Sequence, residues 1–180
     1  MPLHKLAAVS FCGVPIFCNL CIKQTIVQTQ LNLPHFEIKT RTVGTQTQVF
    51  DPIRKKFVVL TPEEWVRQHF INYLITAKGY PAGLISVEMP VTINGMQQRA
   101  DIVVFNRQAQ PILVVECKAP NVTLTNATYT QAARYNLTLK AHILVVSNGT
   151  SHFCSKIDLD RKTFAPLNEV PHFGELDKLD

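Results

Sequence analysis

Acidic residues are scarce in this 180-residue chain: 13 Asp and Glu face 18 Lys and Arg, a formal net charge of +5. The first carboxylate is Glu37. That balance excludes an acidic, disordered chain and admits a polyanionic partner. Cysteine is odd in number, with five residues at positions 12, 18, 21, 117 and 154. An unpaired set without regular spacing excludes a secreted disulfide scaffold and points to a reduced, cytoplasmic protein. Cys18 and Cys21 form one CxxC, but no second CxxC and no HxxxH follows, so a zinc finger is excluded. The six histidines are scattered and make no HxH pair. There is no phosphate-binding glycine loop and no helicase motif, so the chain is not by itself a nucleotide-driven motor.

Long apolar runs are also missing. The longest uncharged stretch, "LAAVSFCGVPIFCNLCI" (6–22), is broken by Pro15 and has no small-x-small cleavage site. It falls short of the roughly 20 residues of a membrane span. A secretory signal, a membrane-proximal anchor and an extension outside the fold compete for it. The expectation is that residues 1–30 form an extension, that no membrane is involved, and that 31–180 make one domain.

What is present suits a soluble core, with 46% hydrophobic and 17% charged residues. "FEIKTRTVGTQTQVFDPIRKKFVVL" alternates around Gly44 like a hairpin, with "DPIRKK" as a charged turn. Thr61 is an N-cap, Pro62 sits at N1, and Glu63 and Glu64 fall in the first turn of a helix over 62–77. Val66, Phe70, Tyr73, Leu74 and Ala77 recur at helical spacing, and Gly79 ends the run. Strands follow at 84–93, 98–105 and 111–118, the first two joined at Asn94-Gly95. A helix over 125–139 and a strand over 142–149 come next, then a strand pair, then a surface cap in the last dozen residues. The order predicts an α/β fold, a mixed central β-sheet flanked by helices (α-β-β-β-α-β).

"ILVVECKAP" (112–120) carries the chemistry: an apolar strand runs into Glu116, Cys117 and Lys118. Buried charges are costly unless paired or coordinated. Residues two apart share a strand face, so Glu116 and Lys118 point one way and Cys117 the other. A hairpin brings Asp101, at the start of "DIVVF", within reach of Glu116. Two converging carboxylates repel unless a cation lies between them, and such oxygen ligands suit Mg²⁺, with Mn²⁺ as a substitute. A lysine beside the cation can align an attacking water or stabilise developing phosphate charge.

The D-x14-E-x-K pattern resembles the PD-(D/E)xK nuclease superfamily. More narrowly, the chain looks like the N-terminal domain of type I restriction enzyme R subunits in a small stand-alone form. The resemblance covers residues 31–155, through "FDPIRKKFVVLTPEEWVRQHFINYL", "RADIVVF", "ILVVECKAP" and "YTQAARYN". It implies a restriction-endonuclease-like core and Mg²⁺-dependent cleavage of DNA, held mainly through phosphates, with a possible homodimer or partner subunits. Asp101 and Glu116 become metal ligands, joined by the main-chain carbonyl of Cys117, and Lys118 becomes the catalytic lysine. Gln131 and Tyr135 match the QxxxY element of the following helix. Glu64 matches the helix-borne acidic ligand, with Glu63 the competing choice. Ala100 stands where the name-giving proline would be.

Plainer readings stand beside these. Glu116 and Lys118 could be an exposed intra-strand pair, worth only about 0–1 kcal/mol. Gln131 and Tyr135 could line a solvated helix face, Glu64 could serve the helix dipole, and Cys117 is most simply a small buried hydrophobe. Glu88 is expected to pair with Arg99 across the hairpin. Arg54, Lys55, Lys56, Arg67, Arg107, Arg134 and Lys140 read as surface charges, a subset of which would line a phosphate groove. Two rivals from other classes are a catalytically idle nucleic-acid-binding or partner-docking module, and a phosphoesterase acting on small molecules.

Overall fold

The computed structural model describes residues 29–176, apart from Asn94 and the side chain of Tyr135. The first 28 residues, with the expectations placed on them, therefore lie outside the described residues. Among the described residues nine strands and three α-helices follow in chain order: β1 (Thr40–Val43), β2 (Gln46–Asp51), β3 (Lys56–Val59), α1 (Pro62–Thr76), β4 (Ile85–Ile93), β5 (Met96–Phe105), β6 (Pro111–Cys117), α2 (Asn126–Leu139), β7 (Ile143–Ser147), β8 (His152–Asp158), β9 (Thr163–Leu167) and α3 (Phe173–Leu176). They make a three-stranded sheet, β1-β2-β3, and a six-stranded mixed sheet in sequential order from β4 to β9. Among the described residues only β6 and β7 pair in parallel. Such a pair needs a crossover, and α2 supplies it.

Helix α1 starts where capping chemistry dictates: the Thr61 hydroxyl accepts from the Glu64 amide at 3.0 Å, and Pro62 sits inside the first turn. Thr125 and Thr128 form a reciprocal capping box at the start of α2. The two helices cover opposite faces of the large sheet. Val66, Phe70, Ile71 and Leu74 of α1 pack on Ile102, Val104, Leu113, Val115, Ile143 and Val145. On the other face Ala132, Tyr129 and Ala133 of α2 meet Val103, Val114, Leu144 and Val146. Both sides of β6 and β7 are thus buried, which explains their unbroken apolar runs. Among the described residues no helix is long and apolar enough to cross a membrane.

Expected and observed boundaries agree closely for the central elements, and two expectations are corrected. Glu88 does not meet Arg99, which pairs in register with Pro90. The ladder skips from Val87↔Ile102 to Met89↔Ala100, and Glu88 between them sits at φ 50° and turns toward two arginines. The tail is also more than a surface cap. Val170, Phe173 and Leu176 are buried in the α1-side core, Tyr80 Oη donates to the Pro171 carbonyl at 2.9 Å, and Lys78 meets Glu169 at 2.7 Å.

This docking gives the first prediction. Phe173 is buried edge-on against Tyr80, with ring centroids 5.6 Å apart. Phe173→Ala is expected to lower the unfolding free energy by about 3 kcal/mol or more. Urea denaturation should show the midpoint moving down with an unchanged slope; an unmoved midpoint would mean the tail adds nothing to the core.

Candidate active site

Local strand geometry brings the two carboxylates together. β5 and β6 pair antiparallel, with Ile102 opposite Val115, so the next position places Asp101 beside Glu116. Both are buried. Asp101 Oδ2 accepts the Cys117 amide at 2.7 Å, and Oδ1 accepts from Arg67 at 2.7 Å. Lys118 follows in sequence, its amide bonded to the Ser147 carbonyl at 2.8 Å and its ammonium 2.8 Å from Glu116 Oε1.

A second layer of charge comes from α1 and the β2–β3 turn. Arg67 is buried on α1 and bonds Glu64 as well as Asp101. Arg54 bonds Asp51 at 2.6 Å, Glu64 at 2.8 Å, and also Glu88. Gln68 donates to Asp51 at 2.9 Å and to Glu64 at 2.8 Å. Asp51 additionally accepts the amides of Ile53 and Arg54, each at 2.8 Å, which shapes the turn that presents Arg54.

The electrostatics follow from this crowding. Burial first, and then Asp101, push the Glu116 carboxyl up to about 7, which Lys118 only partly opposes. Glu63 is raised by burial and by Asp101, with Arg67 and Lys118 pulling the other way. Burial would lower the Lys118 ammonium, but its hydrogen bond to Glu116 and the nearby carboxylates outweigh that and raise it. Arg67 is likewise held charged by Asp101 and Glu64 against its burial. The Cys117 thiol is pushed far up by complete burial, which suits a packed hydrophobe rather than a nucleophile.

The sequence-based candidates are therefore distributed as follows. Asp101, Glu116, Cys117 and Lys118 converge where the end of β6 meets the middle of β5. The Glu64 carboxylate is taken up by Arg54, Arg67 and Gln68, while the half-buried Glu63 feels Asp101 and Lys118. Gln131 is exposed and lines a cleft with Ile93, Met96, Gln98 and Arg134 near the β4–β5 hairpin tip. The Tyr135 side chain lies outside the described residues. Arg54, Arg67, Asp51 and Glu88 belong to the cluster and were not expected there. A signal existed for Arg67: it shares helical spacing with the buried Ile71 and Leu74, so it had to lie on the inner face of α1.

A mixed six-stranded sheet with helices on both faces and a buried carboxylate pair where β6 ends beside β5 is consistent with a nuclease-like core. Residues 62–171 match the family described as the type I restriction enzyme R protein N terminus, and the chain belongs to that family. Among solved structures, the fold is similar to a fragment of an HsdR subunit assigned to a type I restriction enzyme from Vibrio vulnificus YJ016, with a TM-score of 0.50 and 23% identity. That match covers 66% of this chain and 25% of the Vibrio chain, so this chain corresponds to about a quarter of its length. None of the curated proteins matches.

Two predictions arise from the charge cluster. An acid whose pKa is higher folded than unfolded favours folding below its unfolded value, and that contribution disappears as pH rises through the folded value. For Glu116 the window runs from its ordinary 4.5 to about 7. In EDTA, the stability difference between Glu116→Gln and wild type should therefore grow in favour of the variant across that window and then level off. Urea midpoints at a series of pH values measure it, and a flat difference would remove the buried repulsion. Separately, Arg54→Met removes the guanidinium that pairs with Asp51 and one of the two on Glu64, both carboxylates being under a tenth exposed. The expected loss is about 3–5 kcal/mol, the scale for breaking a buried pair from one side, read as a fall in unfolding free energy.

Proposed function

We propose that this chain is a nuclease domain of the PD-(D/E)xK kind, which hydrolyses DNA phosphodiester bonds with Mg²⁺, or with Mn²⁺ in its place. One observation carries this reading: Asp101 of β5 and Glu116 at the end of β6 lie side by side, with the Lys118 ammonium 2.8 Å from Glu116, in a chain of the restriction R protein N-terminal family.

The residues present fit a divalent cation. Six carboxylates (Asp51, Glu63, Glu64, Glu88, Asp101, Glu116) share the cluster with three cations (Arg54, Arg67, Lys118), and burial, then the charge of Asp101, raises the Glu116 carboxyl. Asp101, Glu116 and the Cys117 carbonyl would hold the ion. No group of three His, Cys, Asp or Glu side chains is set to do so among the described residues. Mg²⁺ needs none, since it keeps several waters and takes one or two carboxylates. The chemistry such an ion supplies when bound is polarisation of the phosphate and a lowered pKa for its water.

The chain's own residues do the rest. Lys118 stays protonated, so it acts as a fixed positive charge that aligns the attacking oxygen and stabilises developing phosphate charge rather than as a base. Glu116 orients that ammonium, and Arg67 with the Cys117 amide fixes Asp101 in place. An open cleft of about 590 Å³ leads to Glu63 and Arg67 past Arg54, Lys56 and Ala119; Glu64 and Glu88 also line it, and Lys56 is the basic side chain at its wall that could meet a phosphate backbone. The same reading gives the domain partner subunits, since its structural relative is one subunit of an enzyme.

A second reading has an observation of its own. Both Asp101 oxygens are already occupied by internal donors, and Lys118 is tied to Glu116, an arrangement a catalytically idle DNA-binding or docking module would also have. Cleavage assays separate the two. Glu116→Gln and Lys118→Ala should fold and still bind DNA with a steep salt dependence, while Mg²⁺-dependent cleavage falls by about 10² or more. Wild type that binds DNA but cuts no substrate with Mg²⁺ or Mn²⁺ establishes the idle module instead.

A further inference from the structure

The small sheet carries a surface that the carboxylate cluster does not use. In β1–β3 the register Thr40↔Val49, Arg41↔Gln48 and Phe50↔Phe57 sorts the side chains onto two faces. The inner face holds Val49 and Asp51, both completely buried. On the outer face lie Arg41, Val43, Gln48, Phe50, Phe57 and Val59. Lys39 joins them, since its carbonyl accepts the Phe50 amide at 2.8 Å and so extends the ladder. Val43 is 52% exposed and Val59 45% exposed, and both phenylalanines are half-buried.

The outer face has a definite chemistry. Phe50 and Phe57 are cross-strand neighbours with ring centroids 5.3 Å apart. The Arg41 guanidinium lies 4.0 Å over the Phe57 ring, and the Lys39 ammonium is 5.6 Å from Phe50 and 6.0 Å from Phe57. No acidic side chain of the three strands points outward, since Asp51 is on the buried face. Val59 also lines the cleft that leads to Glu63 and Arg67, so the two surfaces are continuous. These strands precede the family-matching segment, which begins at Pro62.

We infer that the outer face of β1–β3 is a stacking platform for unpaired nucleic-acid bases, with Phe50, Phe57 and the Arg41 guanidinium receiving bases and Lys39 and Arg41 meeting the backbone. Neighbouring aromatics on an open antiparallel sheet, flanked by cations, form the arrangement on which single strands stack with little regard to sequence. A duplex hides its base faces and gains only the charge. A protein partner would gain the apolar area, but every charge on the outer face of the strands is positive, which favours a polyanion. The inference takes its ligand class from the nucleic-acid reading above and does not depend on hydrolysis.

The test is fluorescence anisotropy in EDTA with a labelled 20-mer of deoxythymidine and a 20-base-pair duplex, over a salt series. Wild type should bind the single strand more tightly than the duplex. Phe57→Ala should weaken single-strand binding about tenfold, the scale of one lost stack, with little change in salt slope and little effect on the duplex. Phe57→Tyr should keep the affinity, which separates stacking from misfolding. Lys39→Ala with Arg41→Ala should instead flatten the salt slope. Equal binding of the single strand by wild type and Phe57→Ala, or no single-strand binding by wild type, overturns the platform. So does a self-associating wild type that Phe57→Ala turns monomeric. Since no divalent ion is present, any of these can occur while wild type still cuts duplex DNA with Mg²⁺, so failure here and failure of the nuclease reading are told apart.

Discussion

The ion network of Arg54 and Arg67 is the constraint around which this molecule is arranged. Two guanidinium groups, both largely inside the protein, join side chains from β2, α1, β4 and β5. Burying that much charge is tolerable only when every carboxylate has a donor. The requirement explains local oddities that no propensity argument would produce: the Asp51-capped turn, the left-handed backbone at Glu88 and the polar inner edge of α1. Burial, and then Asp101, raise the carboxyl of Glu116. The arginines answer Asp51, Glu64, Glu88 and Asp101, leaving Glu116 with Lys118 alone, and Glu116 is the carboxyl pushed furthest from its ordinary value.

The proposed stacking face and the charged centre share β2 but otherwise draw on different parts of the chain. The family-matching segment contributes Asp101, Glu116 and Lys118, while the strands before it contribute Asp51 and Arg54 to the centre and an aromatic, basic face to solvent. One hairpin turn therefore joins the electrostatic frame of the centre to a platform built for a different kind of contact. In β2, Asp51 faces inward and its neighbour Phe50 outward, so alternation along a single strand links the two.

What was legible in the sequence was local. The pairing of Asp101 with Glu116 follows from strand alternation and a hairpin, both of which act over a few residues. The caps of α1 and the apolar runs of β6 and β7 are equally local. The partners of Arg54 and Arg67 were not legible, because Glu88 and Asp101 stand 34 residues away from them, respectively, and a left-handed backbone at Glu88 turns it off its expected course. The tail was missed for a related reason. Phe173 and Leu176 lie in a single short turn of helix, too short to show a period, and only the Tyr80 region gives them a place to pack. Glu63 and Glu64 were equivalent by dipole arguments, and only the positions of the two arginines distinguish them.

The order of charges along the chain has a consequence for synthesis. Arg54 and Arg67 precede Glu88, Asp101 and Glu116 in sequence. A chain made from its amino terminus presents both guanidinium groups, with α1 to carry one of them, before the later acids emerge. When the β5–β6 hairpin closes and forces Asp101 against Glu116, Arg67 is already there to take up Asp101. The reverse order would expose a bare pair of like charges at the step where the central sheet first forms. The polarity of the polypeptide thus lets the compensating charge arrive before the repulsion it offsets.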